Sequence, residues 1–202
     1  MLENYIIYLK FLEKKLTKFF DKQKPYIRCQ KGCGLCCQNA QFPYSKLEID
    51  YLMTGAWQLD LETKKLVAQN INRIIQEKKN FNGRPDEFKY DCPFLINNVC
   101  SVYKYRGIIC RTFGLMYMGE DNKAKIPFCC FKGYNYANVV KDGSGVISSE
   151  KVKALGDVEE PVAFNISYKF LTCEDFEQGF KIKFGEKKPL IDWFIEDKEE
   201  NC

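Results

Sequence analysis

Histidine is absent from all 202 residues. That single absence excludes a Cys–His dyad, a Ser–His–Asp triad and a mixed Cys/His zinc site. Any general base is left to Asp, Glu, Lys, Tyr or a thiolate. Any soft-metal site must be all-thiolate, or thiolate with an occasional carboxylate. Arginine is scarce too, supplying only five of the 31 basic residues. The net charge of +4, from 31 basic against 27 acidic residues, is too mild for the footprint of a nucleic-acid partner. Long apolar runs are also missing. The best of them, "YIIYL", is broken by Lys10, so no transmembrane segment is expected. The opening "MLENYIIYLKFLEKKLTKFF" has an acidic first charge, a short apolar run and no small-residue cleavage site. It is not read as a secretory signal, and the expected compartment is the cytoplasm.

Cysteine, by contrast, is abundant, at 11 residues. In a reducing compartment, clustered thiols point to metal or redox chemistry rather than disulfides. The odd total excludes complete internal pairing in any case. The rest of the composition is that of a globular chain: 46% hydrophobic, 29% charged, with 16 Phe and 12 Tyr for an aromatic interior. The length suits a small single domain, residues 1–202. We divide it into an N-terminal amphipathic helix (2–22), a cysteine-cluster core (26–135) and a C-terminal extension (136–202). The expected fold class is mainly α with minor β (α+β), its cysteine-rich loops clamped by metal.

Over residues 2–22, Tyr5, Leu9, Leu12, Leu16 and Phe19 follow the helical period, with Lys10, Glu13, Lys14 and Lys18 largely off the stripe. The stripe reads either as a core face or as a membrane-surface face. Pro25 ends this element. "SKLEIDYLMTG" (45–55) opens with a capping box, Ser45 and Glu48, and Gly55 reads as its stop. Residues 60–80 carry the clearest helical pattern, with Val67, Ile71, Ile74 and Ile75 on one face. "FNGRPDEF" (81–88) reads as a loop. A hairpin is expected around Asn97–Asn98, and a helical turn capped by Ser101 after it. Residues 141–149 read as a loop, "SSEKVKALG" as a short helix, and a last helix is expected from Pro189 with Leu190, Trp193 and Phe194 buried.

The cysteines fall in three blocks. The first, "RCQKGCGLCCQNA", holds Cys29, Cys33, Cys36 and Cys37. Cys33-x-x-Cys36 is a two-ligand clip, and Gly32 and Gly34 supply the positive φ that a tight turn needs. Backbone N–H groups in such a turn can face the sulfurs and favour the thiolate. The second block supplies Cys92, Cys100 and Cys110, with Arg106 and Arg111 placed to lower the pKa of Cys110. The helix pair between the two blocks can bring them together. The third block holds Cys129 and Cys130, which read equally as ligands or as buried thiols. Adjacent side chains diverge, so the Cys36–Cys37 pair is taken to favour more than one metal atom. Cys173 and Cys202 lie outside the blocks and are read as non-ligands.

"CGLCC" (33–37), "CPFL" (92–95), "CSVYKYR" (100–106) and "CRTF" (110–113) together resemble the CxxCxxCC cysteine-cluster family of zinc- or iron-chelating domains, the YkgJ-type proteins. The resemblance covers roughly residues 26–135. Two features depart from the pattern: Cys29-x3-Cys33 is one residue longer than the family name, and Gly107 stands where the family often has Pro. The resemblance implies a metal-binding protein holding Zn2+ or an Fe–S cluster through Cys29, Cys33, Cys36, Cys37, Cys92, Cys100, Cys110, Cys129 and Cys130. Flagellin lysine N-methylases are similar over the same cluster, which implies methyl transfer from S-adenosylmethionine as the alternative. Against it, no Gly-rich nucleotide loop follows a predicted strand. A third reading is a zinc-stabilised interaction module that docks a protein partner on its N-terminal helix. No catalytic residue is assigned.

Overall fold

A computed structural model describes residues 1–30, 32–39, 41–141 and 143–196. Cys202 lies outside the described residues. Of these residues about 49% are helical and 9% extended, so the fold is mainly α with minor β. In chain order the elements are α1 (Leu2–Lys22), β1 (Pro43–Ser45), α2 (Lys46–Ala56), α3 (Leu61–Lys79), β2 (Leu95–Ile96), β3 (Val99–Cys100), α4 (Ile108–Thr112), β4 (Tyr117–Met118), β5 (Ala124–Lys125), α5 (Ser149–Lys153), α6 (Tyr168–Leu171), α7 (Glu174–Phe180), β6 (Lys187–Pro189) and α8 (Trp193–Glu196). Short 3₁₀ turns join several of them. No described helix is long and apolar enough to cross a membrane.

The chain divides into two compact units that interleave along the sequence. One comprises Met1–Leu2, Lys31–Gly107 and Ile182–Cys202; the other comprises Glu3–Gln30 and Ile108–Lys181.

In the first unit, β1 pairs antiparallel with β6, setting Tyr44 opposite Lys188. Ser45 then caps α2: its hydroxyl accepts from the Glu48 N–H, while the Glu48 carboxylate accepts from the Ser45 N–H. The box is wholly buried, with Ser45 and Glu48 at 0% and 1% exposure, so its polar groups have to satisfy one another. Gly55 is not the stop expected of it. It lies inside α2 where an added Cβ would come 2.2 Å from the Tyr105 ring, so its smallness serves close packing. Asp60 caps α3 through the Thr63 N–H. The predicted stripe of α3 is buried: Ile74 and Ile75 join Phe88, Tyr90 and Ile191 in one core cluster, with Ile71, Phe194 and Ile195 packed against it. Tyr90 Oη accepts from the Ile191 N–H at 3.1 Å and Trp193 Nε1 donates to the Tyr44 carbonyl at 3.1 Å, which fixes the C-terminal segment onto β1 and α3. That segment is β6 followed, from the cap Pro189, by a 3₁₀ turn that runs directly into α8, with Leu190 and Trp193 buried.

In the second unit, Tyr5, Tyr8, Leu9, Leu12 and Leu16 bury the apolar face of α1. Tyr8 packs edge-on against Phe176 and Phe180 of α7 and donates its hydroxyl to the Leu171 carbonyl at 2.7 Å. Phe19 stacks on Phe164 with ring centroids 4.0 Å apart. The stripe therefore faces protein, not lipid. A second cluster gathers Tyr26, Met116, Cys130, Tyr136, Val139, Val140 and Val152. β4 and β5 form a short hairpin, and α5 begins at the cap Ser148.

Candidate metal centre

Cys33, Cys36 and Cys37 of the first cysteine block and Cys92 and Cys100 of the second belong to the first unit, where two turns bring their segments together. Gly32 and Gly34 take φ of +84° and +62°, the left-handed turns expected of the knuckle, and Leu35–Cys37 close it as a 3₁₀ turn. The hairpin β2–β3 presents Asn97 and Asn98 at φ of +49° and +61°, the two positive values that a two-residue I′ turn requires. Asn98 at its tip does more than turn the chain. Its Nδ2 donates to the Gly32 carbonyl at 2.7 Å, and its Oδ1 accepts from Gln38 Nε2 at 3.1 Å. Gly34 permits this approach, since a Cβ there would lie 2.5 Å from Asn98 Oδ1. Two further bonds tie the blocks. The Cys92 N–H donates to the Cys37 carbonyl at 2.7 Å, and the Asn39 N–H to Asp91 Oδ1 at 2.8 Å.

This clamp sets the sulfurs. Cys36 Sγ and Cys37 Sγ are 3.8 Å apart. A tetrahedral ion with bonds of about 2.3 Å to sulfur spaces its sulfurs about 3.8 Å apart. The expectation that these adjacent side chains diverge is thus corrected: the 3₁₀ turn folds both thiols to one side. Cys100 sits in β3 opposite Leu95. The Cys36 thiol is pushed far above the usual range, chiefly by its hydrogen bond with Cys37, then by burial and by the charge of Cys37. Cys100 is raised by burial, and the Cys36 charge adds to it. The Val102 N–H and the Arg106 guanidinium pull Cys100 the other way, and Arg106 does the same for Cys36. Arg106 is held for this task, lying 3.7 Å over the Tyr103 ring and donating to the Tyr103 carbonyl. The sequence assigned that cation to Cys110; it also pulls on Cys36 and Cys100, which the sequence reading did not foresee. Gly107, in the position expected of Pro, leaves its N–H to bond Tyr44 Oη at 3.4 Å, and a Cβ would meet the Tyr44 ring at 2.6 Å.

The second unit holds Cys29, Cys110, Cys129 and Cys130. Cys110 lies in α4, and the next residue, Arg111, is buried and ion-paired with Glu13 of α1. Cys129 and Cys130 are buried in the 3₁₀ turn Phe128–Lys132, which Gly133 ends at φ +80°. Burial raises the Cys130 thiol. Tyr136 is raised by burial, and the charges of Cys29 and Cys129 add to that, so both thiols lie within electrostatic reach of one phenol. Cys29 Sγ accepts from Asn135 Nδ2 at 3.1 Å. Cys173, read as a non-ligand, precedes α7. Asn98 and Asn135 were missed by the sequence reading. Asn98 carried a turn signal only, and Asn135 none.

Among the described residues no three Cys, Asp or Glu side chains already converge as a coordination group. None of the ten described cysteines is in a disulfide. The donor set fits a thiophilic metal. It is all sulfur, carries a pair at coordination spacing, and has N–H and guanidinium groups turned toward its thiols.

A glycine-tuned thiol knuckle clamped to a second cysteine-bearing hairpin defines a metal-chelating protein. The chain belongs to the CxxCxxCC family, "putative zinc- or iron-chelating domain", whose match runs over residues 28–130, just over half of the sequence. That match begins next to Cys29 and ends at Cys130. Comparison with curated proteins and with solved structures returns no match.

Proposed function

We propose that this chain chelates more than one atom of zinc or iron, as zinc ions or an iron–sulfur centre, through Cys29, Cys33, Cys36, Cys37, Cys92, Cys100, Cys110, Cys129 and Cys130, and works in the reducing cytoplasm. The observation that carries the chelation is the 3.8 Å separation of the Cys36 and Cys37 sulfurs inside a clamped knuckle, the spacing at which both can bind one ion. The distribution of thiols supports the plural. Cys33, Cys36, Cys37, Cys92 and Cys100 belong to one unit, and Cys29, Cys110, Cys129 and Cys130 to the other. Each set has at least the four thiolates that one tetrahedral ion takes. An all-thiolate donor set suits zinc and iron–sulfur clusters alike. The bound metal supplies a positive charge that holds the thiolates together. The chain's own residues bind and orient it: Asn98 and the Cys92 amide hold the knuckle, and Arg106 offsets negative charge at Cys36 and Cys100.

Anaerobic purification followed by metal analysis and an absorption spectrum tests this. Brown protein with acid-labile sulfide identifies a cluster, and colourless protein with two zinc ions identifies a pair. One zinc per chain, with the remaining thiols titratable after denaturation, sinks the reading of more than one metal atom.

A further inference from the structure

We infer that Asn135, five residues beyond the end of the family match, is a positioning residue for the Cys29 sulfur. The inference rests on the chelation reading above. Asn135 is wholly buried, at 0% exposure, and its amide is engaged at three points. Its Oδ1 accepts the Arg28 N–H at 2.8 Å. Its Nδ2 donates to the Gly114 carbonyl at 2.8 Å and to Cys29 Sγ at 3.1 Å. These partners leave no choice of orientation. Turning the amide over would set an NH2 against the Arg28 N–H and an oxygen against the Gly114 carbonyl, donor on donor and acceptor on acceptor. An N–H group therefore has to face the sulfur.

The surrounding backbone is bent to suit. Gly114 sits at φ +103°, and a Cβ there would fall 2.9 Å from Cys29 Sγ and 2.8 Å from Asn135 Nδ2. On the other side Tyr136, buried, takes φ +63°, a conformation costly for a bulky side chain, and its hydroxyl accepts the Met116 N–H. Strained backbone of this kind persists where the surroundings over-determine it, often at functional sites. Cys29 as a residue is exposed, yet its sulfur is gripped by a buried amide. A surface thiol without a task needs no such support. An N–H donated to the sulfur helps to fix the direction in which it meets a metal, and loss of such a partner typically weakens metal affinity about 10–100-fold.

The test uses the full chain, stripped of metal under reducing conditions and titrated anaerobically with Co2+, whose thiolate charge-transfer absorption grows with the number of sulfur ligands. Cys29→Ser, Asn135→Asp and the double variant are compared with the native chain. Asp keeps the acceptor for Arg28 and replaces the donor facing sulfur by a carboxylate oxygen. Asn135→Ala, which adds no charge, serves if the Asp variant fails to fold. The expected result is weaker charge transfer and about 10–100-fold weaker Co2+ binding for Asn135→Asp, with no further loss in the double variant beyond that of Cys29→Ser. A native spectrum and affinity in Asn135→Asp overturn the inference, as does a loss that simply adds to that of Cys29→Ser, which marks a structural role. No change in Cys29→Ser also overturns it. Failure of the native chain to bind Co2+ or Zn2+ overturns the chelation reading, and the inference with it.

Discussion

The Cys92 N–H donates to the Cys37 carbonyl across 2.7 Å, joining two cysteine blocks with 54 residues of chain between them. The bond sets the backbone of the last cysteine of the knuckle beside that of the first cysteine of the second block. Ser at Cys33, Cys36, Cys92 or Cys110 is expected to halve or abolish bound metal, because serine is a poor ligand for soft metals. Ser at Cys173 is expected to leave it unchanged. Metal analysis of the purified variants checks the ranking, and a Cys173 variant that loses metal while the Cys33 variant keeps it refutes the assignment.

Metal removal should act on stability. Structural zinc in zinc-finger peptides contributes about 10 kcal/mol or more to folding. Here Ile74, Ile75, Phe88, Tyr90 and Ile191 give the first unit an apolar cluster of its own. Chelation under reducing conditions is therefore expected to lower Tm by about 10 °C or more while most of the helical circular dichroism survives at 25 °C, since each kcal/mol moves Tm by about 2–4 °C at this chain length. An unchanged Tm after verified removal counts against a structural contribution from the metal.

Gly32 and Gly34 offer a paired test. Both have positive φ, but only Gly34 faces Asn98; a Cβ at Gly32 meets nothing within 4 Å. Ala at Gly32 should cost the backbone term alone, about 1–2 kcal/mol. Ala at Gly34 should cost more and also lower metal content, because it pushes the hairpin tip off the knuckle. Thermal melts and metal analysis read both quantities. Equal losses at the two positions would rule out the clamp.

Ser45→Ala removes a buried cap and the hydroxyl that donates to Glu48 Oε2. A loss of about 1–2 kcal/mol is expected, or roughly 2–8 °C in Tm, with metal stoichiometry intact. Calorimetry and metal analysis on the same sample decide it. A stable variant would mean that Glu48 has regained its partners elsewhere.

Hydrogen bonding to Cys37 and burial raise Cys36, and burial raises Cys100 and Cys130. These thiols therefore keep their protons at neutral pH when no metal is bound. Metal must displace the protons, so affinity is expected to rise with pH and to fall as pH drops. For the metal-free fold, raised thiol pKa values contribute stability that is complete below the unfolded value, about 8.5, and that is lost as pH rises through the folded values. Melts of metal-free protein should thus fall between pH 7.5 and about 9.5, and metal-bound protein should fall less. Proton release on zinc addition, followed with an indicator dye, checks the first half. A pH-independent affinity would contradict it.

What the sequence disclosed was mostly local. The α1 stripe, the Ser45–Glu48 box, the α3 face and the Asn97–Asn98 turn all sit where period and turn chemistry put them, because neighbours in the chain determine them. Ser101 misled. Its hydroxyl donates to the Phe94 carbonyl across the hairpin rather than capping the next turn, and nothing local distinguishes those two uses. The reach of Arg106 to Cys36, 70 residues away in sequence, was equally invisible, because the fold and not the chain order brings that thiol near its charge. β4, β5, α6 and α7 are too short for periodicity to register. Asn135 was invisible because its importance lies wholly in partners 21, 106 and 107 residues away.

The pairing of β1 with β6 also has a temporal side. On a ribosome, Pro43–Ser45 emerges roughly 140 residues before Lys187–Pro189, its partner. At about 5–20 residues per second, that strand edge waits roughly 7–30 s for its partner. Until then the buried capping box, the Phe42 carbonyl that bonds Leu190 and the Tyr44 carbonyl that bonds Trp193 stand open to water, chaperones and proteases. The knuckle is synthesised early, but the unit that carries it closes late. A message cut short before residue 187 would yield a chain with most of its cysteines and an unsealed unit around five of them, a product for quality control to remove.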